Sequence, residues 1–251
     1  MLKRLPLLAV LLNSGLASAA VESAFDLTTQ VEYEDNPRLL PNDQAESVWR
    51  SVTTPGYRLS RLEDNWTLAF IGDLRVQRSS NDELSFDRED PTANLTFNRR
   101  SATGELSMGV CFSQASTRIT EFEDSNLVFR DGTRETLSAN AGWSGVLSAV
   151  SSYGLTLSVQ DVAFKDSPLV DFRNQMAGLS YQRAVSELVS VSLVARITRF
   201  DPQPNDANTA SANVVDQDIR YAGLGLSYQL SERWSSQLNA GLVDVTFDDL
   251  S

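Results

Sequence analysis

The sequence predicts an antiparallel up-and-down transmembrane β-barrel, and three observations predict it. Apolar and polar residues alternate with period two from residue 20 onward. The alternating runs are about 10 to 14 residues long, which suits a tilted bilayer crossing and exceeds the usual strand of soluble sheets. Short turns alternate with long polar loops, the asymmetry of outer-membrane barrels.

The elements follow in chain order. Residues 1–19 read as a cleaved signal peptide. Lys3 and Arg4 precede the apolar run Leu5 to Leu12, and Ala17-Ser18-Ala19 supplies small residues before a cut at Ala20. Residues 20–251 form the barrel domain, with strands expected near 24–34, 47–61, 65–78, 88–100, 104–115, 132–144, 150–163, 171–182, 187–200, 217–230 and 233–247. In the first, Phe25, Leu27, Val31 and Tyr33 alternate with Asp26, Gln30 and Glu32. The third sets Trp66, Leu68, Phe70, Leu74 and Val76 against Thr67, Asp73, Arg75 and Gln77. Leu106, Met108, Val110 and Phe112 mark the fifth, and Leu137, Ala139, Ala141 and Trp143 the sixth. Tyr153, Leu155, Leu157 and Val159, then Val189, Val191, Leu193, Ala195 and Ile197, continue the pattern. The stretch Gly178-Leu179-Ser180-Tyr181-Gln182 recurs as residues 225–229, each copy followed by a Ser-Glu turn. A repeated strand-turn-strand unit favours an up-and-down sheet over a Greek key.

Alternation alone does not say which solvent meets the apolar face, because a soluble sandwich shows the same period. The aromatics point to lipid. Trp66, Trp143, Tyr153, Tyr181, Tyr228 and Trp234 sit on the apolar parity beside short turns, as an interfacial girdle would. The opposite parity then lines a lumen, giving Glu32, Asp73, Arg75, Gln77, Arg134, Asn140, Arg196, Gln237 and Asn239 as lining residues, with Asp26, Gln30 and Asn174 beside them. Arg99 falls in outward register near a strand end. A filled structural or adhesive barrel and a secreted carbohydrate-binding sandwich are the alternatives to a channel.

Composition narrows the chemistry. The 251 residues carry 21 Lys plus Arg and 33 Asp plus Glu, a net charge of −12. Loss of the leader would remove two cations and leave −14, with Lys165 the one remaining lysine. That balance argues against nucleic acid. With no His, imidazole-based nucleophilic and metal chemistry is excluded. Cys111 lies in a strand on the polar parity and reads as a small wall residue. The acids Asp82, Glu83, Asp87, Glu89, Asp90, Glu121, Glu123 and Asp124 show no fixed ligand spacing and read as solvated loop charge rather than a Ca²⁺ or Mg²⁺ site. The expectation is therefore no enzyme, no cofactor and no metal. The expected surroundings are outer-membrane lipid and lipopolysaccharide.

Several stretches carry a family resemblance: Val31-Glu32-Tyr33-Glu34-Asp35-Asn36-Pro37, Thr53-Thr54-Pro55-Gly56-Tyr57-Arg58-Leu59, Ser116-Thr117-Arg118 and the repeated Gly-Leu-Ser-Tyr. On these the chain resembles the outer-membrane β-barrel, porin-like proteins of Gram-negative exopolysaccharide and capsule loci. The resemblance implies an outer-membrane barrel that passes or helps export polysaccharide, with envelope export proteins as partners. It brings no catalytic motif. One departure stands out. Such barrels end on an aromatic, whereas Phe247 is followed by Asp248-Asp249-Leu250-Ser251 after an odd number of strands. The expectation is a C-terminally incomplete barrel of twelve or more strands.

Overall fold

The structure, a computed structural model, describes residues 3–12, 21–35, 46–81, 85–117, 132–167, 169–203, 215–231 and 234–247. It is all β. The strands are β1 (Lys3–Leu12), β2 (Val21–Asp35), β3 (Ser47–Glu63), β4 (Trp66–Ser79), β5 (Arg88–Arg100), β6 (Gly104–Ser116), β7 (Thr133–Ser148), β8 (Ser151–Lys165), β9 (Asp171–Ala184), β10 (Val189–Gln203), β11 (Gln217–Ser231) and β12 (Trp234–Phe247). Their order in the sheet is their order in the chain, the up-and-down topology of the outer-membrane barrel class. β2 to β12 fall where the alternation predicts them. β7 to β10 extend a few residues beyond the predicted bounds.

β1 is additional. Residues 3–12, expected from the sequence to be part of a cleaved leader, pair antiparallel with β2, Lys3 opposite Tyr33 and Leu12 opposite Phe25. An edge strand presents a row of backbone donors and acceptors, and an extended apolar segment can satisfy them. Among the described residues, Lys3–Leu12 is therefore a twelfth strand.

Two compact units emerge, one of residues 1–63, 67–95 and 112–115, the other of residues 64–66, 96–111 and 116–251. In the first, β2 and β3 pair over their whole length, with Asp26 opposite Gly56, Glu32 opposite Arg50 and Glu34 opposite Val48. Because side chains alternate along a strand, these residues share one face. Phe25, Trp49 and Tyr57 occupy the other and are exposed.

In the second unit β7 to β12 pair consecutively. Leu155 lies between Trp143 and Leu179, and Leu193 between Tyr181 and Leu224. Turn hydrogen bonds tie neighbouring hairpins together at the short-turn end, with the Val146 amide donating to the Thr103 carbonyl and the Ala184 amide to Val150.

A sandwich would seal its apolar residues between sheets. Among the described residues the buried hydrophobics are Val48, Val52 and Val162. Leu193 is 49% exposed, Leu179 55% and Leu224 58%. Among the described residues of the second unit, none covers its apolar face.

Candidate polar-face site and lipid-facing surface

The first unit carries a continuous polar ladder on the face opposite Trp49 and Tyr57. Arg50 stands at its centre. Its Nη2 donates to Glu34 Oε2 at 2.6 Å, its Nε lies 3.5 Å from Glu32 Oε2, and its Nη1 donates to Ser85 Oγ at 3.5 Å. Gln77 Nε2 donates to the same Ser85 hydroxyl at 3.2 Å, and Gln77 Oε1 accepts from Arg75 Nη2 at 2.9 Å. Arg75 Nη1 lies 3.5 Å from Asp90, which Arg88 Nε contacts at 2.8 Å. Three guanidinium groups and three carboxylates thus interleave across β2, β3, β4 and β5. Glu32, Gln77, Ser85 and Asp90 are buried, so each charge depends on its neighbours rather than on bulk water.

Closer to the short turns, the Asp26 and Asp73 carboxylates converge over Gly56. A Cβ there would come within 2.6 Å of Asp73 Oδ1 and 2.8 Å of Asp26 Oδ2. Glycine is the residue that leaves space for both carboxylates.

Sequence reasoning missed Arg50. Its strand reads ambiguously, because Val48 and Val52 share its parity while Ser51 and Thr53 lie on the opposite one. The signal was the in-register pairing with Glu32. Glu89 and Asp90, expected as loop charge, are instead strand residues of β5. Asp90 is held by two arginines because its parity points into the ladder. Asp82, Glu83, Glu121, Glu123 and Asp124 lie outside the described residues.

The second unit places Arg134, Asn140, Arg196, Gln237 and Asn239 on its own polar face. Asn140 Oδ1 occupies the space beside Gly109, Arg196 lies opposite Gly178 and Tyr221, and Gln237 donates to Asn239 at 3.4 Å. They do not form one cluster comparable to the ladder.

Towards the long-loop end the polarity of this unit inverts. Phe164, Phe172 and Phe200, on the polar parity, stack with ring centroids 6.4 and 5.4 Å apart, and the Arg134 guanidinium lies 6.0 Å from the Phe164 ring. The outward positions there are ionic. Lys165 pairs with Glu135 at 2.6 Å, Arg173 with Asp161 at 2.5 Å and Arg199 with Asp216 at 3.3 Å. Such pairs belong to the headgroup region or water, because charge facing hydrocarbon is costly. The switch marks where hydrocarbon ends. On β10 the outward apolar run Val189 to Ile197 covers eight residue steps, about 27 Å along the strand and about 20 Å across the membrane at ordinary tilt.

At the other end lie the expected interface aromatics. Trp66 sits 6.2 Å from Phe97, Trp143 meets Tyr153 edge-on at 5.8 Å, and Tyr153 is opposite Tyr181. Tyr228 lies opposite Val189, and Trp234, 72% exposed, opens β12. Arg99 shares the parity of Phe97 and is exposed. A pair the sequence reading passed over, Tyr33 with Trp49 at 4.7 Å, lies at the long-loop end of β2 and β3.

No protein-family model and no curated protein matches the chain. Among solved structures it is similar to OmpT (in-vitro folded), an outer membrane protein of Vibrio cholerae in a trimer form. The identity is 7% and the TM-score 0.47, over 98% of this chain and 89% of that one. The exopolysaccharide-locus family finds no support in these comparisons. The expectation that the chain is not an enzyme is corrected. The matched protein, OmpT, is an outer-membrane protein, and a likeness this distant neither assigns a reaction to the barrel nor excludes one. A missing His removes imidazole chemistry and no more than that. Strand length, sheet order, the uncovered apolar face and the ionic rim above it lead to one conclusion: the chain is an integral outer-membrane β-barrel.

Proposed function

We propose that the polar face lines an aqueous passage and that the protein is a porin-like channel. The observation that carries this reading is the ladder from Glu32 and Glu34 through Arg50, Gln77 and Arg75 to Asp90 and Arg88. Alternating fixed charges along a wall select ions by sign and hydrogen-bond the hydroxyls of sugars. Polysaccharide as the cargo, in exopolysaccharide or capsule export, rests on the sequence resemblance. Reconstitution in a planar bilayer tests the channel, with discrete conductance steps expected. Arg75→Ala should move the reversal potential under a salt gradient towards cation preference while the folded yield stays unchanged. A folded barrel that never conducts would overturn the proposal.

One observation favours a second reading, a filled barrel. The ladder charges are mutually paired, and Val48 and Val52 are buried on the same face. Small barrels fill their interiors with side chains. Under that reading Arg75→Ala changes stability and no current is seen.

A further inference from the structure

The polar face of the second unit is built mostly from small residues, Ser138, Gly142, Thr156, Ser158, Gly178 and Ser180 among them. Three aromatic rings interrupt it at the long-loop end, one from each of three adjacent strands: Phe164 on β8, Phe172 on β9 and Phe200 on β10. Their planes are inclined by 42° and 34° at centroid distances of 6.4 and 5.4 Å, so they form a continuous strip running diagonally across the strands. Phe172 is fixed from both sides, because Val162 and Pro202 stand opposite it in register and both are buried. The three rings themselves are only half-buried. Along the edge of the strip nearer the short turns run Ser138, Gln160 and Asn174, in register with one another, and Asn174 is also opposite Phe200. Asn174 lies two residues, about 7 Å, from Phe172 on the same strand. Its Oδ1 is buried and accepts no hydrogen bond among the described residues, which costs free energy until a donor reaches it. Packing alone calls for apolar groups sealed from water. A half-exposed flat strip edged by amides is amphipathic, as a pyranose ring is.

We propose that this strip binds an oligosaccharide whose hydroxyls are equatorial, of the β-linked glucan type. Such a sugar ring has faces made of C–H groups and a rim of hydroxyls. The faces lie on Phe172 and Phe200, where they leave water, with successive sugars on successive phenylalanines. The rim hydroxyls bond the Gln160 and Asn174 amides, one of them donating to Asn174 Oδ1. Rings already held in place by their neighbours lose little freedom on binding. The inference takes from the proposed function only that the polar face looks into the lumen, and it does not depend on conduction.

The test is isothermal titration of the full chain, refolded in detergent, with cellotetraose and with sorbitol, which has the hydroxyls and no ring. Heat-modifiable mobility reports that each sample is a folded barrel. Expected is binding of the tetrasaccharide and none of sorbitol. Phe172→Leu and Phe200→Leu, which keep an apolar side chain and lose the flat face, should each weaken binding about tenfold. Phe172→Trp, which restores a flat face, should retain it, and Asn174→Ala should weaken it severalfold. A folded barrel that ignores cellotetraose, equal binding of sorbitol, or full affinity in both leucine variants would overturn the site and leave the rings as filler. Binding by a barrel that shows no conductance would keep the site and overturn the passage instead.

Discussion

Arg50 shows how one side chain organises a face. Its fork reaches Glu34, Glu32 and Ser85, drawn from two further segments of the chain. Removing it leaves Glu32, only 7% exposed, without the guanidinium it faces. Breaking a buried pair from one side is more damaging than removing both partners. Arg50→Ala should therefore cost about 3 kcal/mol, read from urea unfolding in lipid vesicles. Arg50→Lys should recover only part of this loss, because an ammonium cannot engage both carboxylates in the fork geometry. Full stability in Arg50→Ala would mean that the ladder is wet and loosely held.

Each strand has two environments along its length. The outward residues of β8 change from Tyr153, Leu155, Leu157 and Val159 to Asp161 and Lys165, and those of β9 from Leu179 to Arg173. On the other face small residues give way to Val162 and Phe164. The same backbone pattern is thus lipid-facing at one end and solvent-facing at the other. In β4, Leu68 is 36% exposed on the apolar parity. Leu68→Arg should lower folding stability by roughly 2–4 kcal/mol. Thr67→Arg, one residue away on the polar face, should cost much less. Comparable losses for the two variants, measured by vesicle-based unfolding, would contradict the assigned faces. Tyr221 offers a different lesson about strands. Its ring covers Gly223 on its own strand and Gly241 on the next, filling space that a Cβ at either position would need. No periodicity announces such a contact, because it links residues by side-chain reach rather than by spacing.

For the molecule as a whole, depth is the testable quantity. All four tryptophans, Trp49, Trp66, Trp143 and Trp234, lie on apolar parities near strand ends, at the levels assigned to the interfaces. Single-tryptophan variants in vesicles should be quenched more strongly by lipids labelled near the headgroup than by lipids labelled at the acyl terminus. Deep quenching of Trp143, for example, would place the short-turn end within hydrocarbon and displace the whole assignment.

The period-two pattern alone determined the strands β2 to β12, their antiparallel order and the two parities. Alternation is a local property of a pleated backbone and needs no knowledge of distant contacts. That Trp66, Trp143 and Tyr153 share the apolar parity near the short turns was legible for the same reason. The tertiary structure decided what periodicity cannot encode. It brought Arg50 to Glu32 and Asp90 to Arg75, because cross-strand partners are fixed by register and turn length rather than by composition. It placed Phe164, Phe172 and Phe200 together against the polar parity, because above the membrane the wetter side of the sheet is the outer one. It also paired residues 3–12 with β2, since an open strand edge offers backbone donors and acceptors to an extended segment.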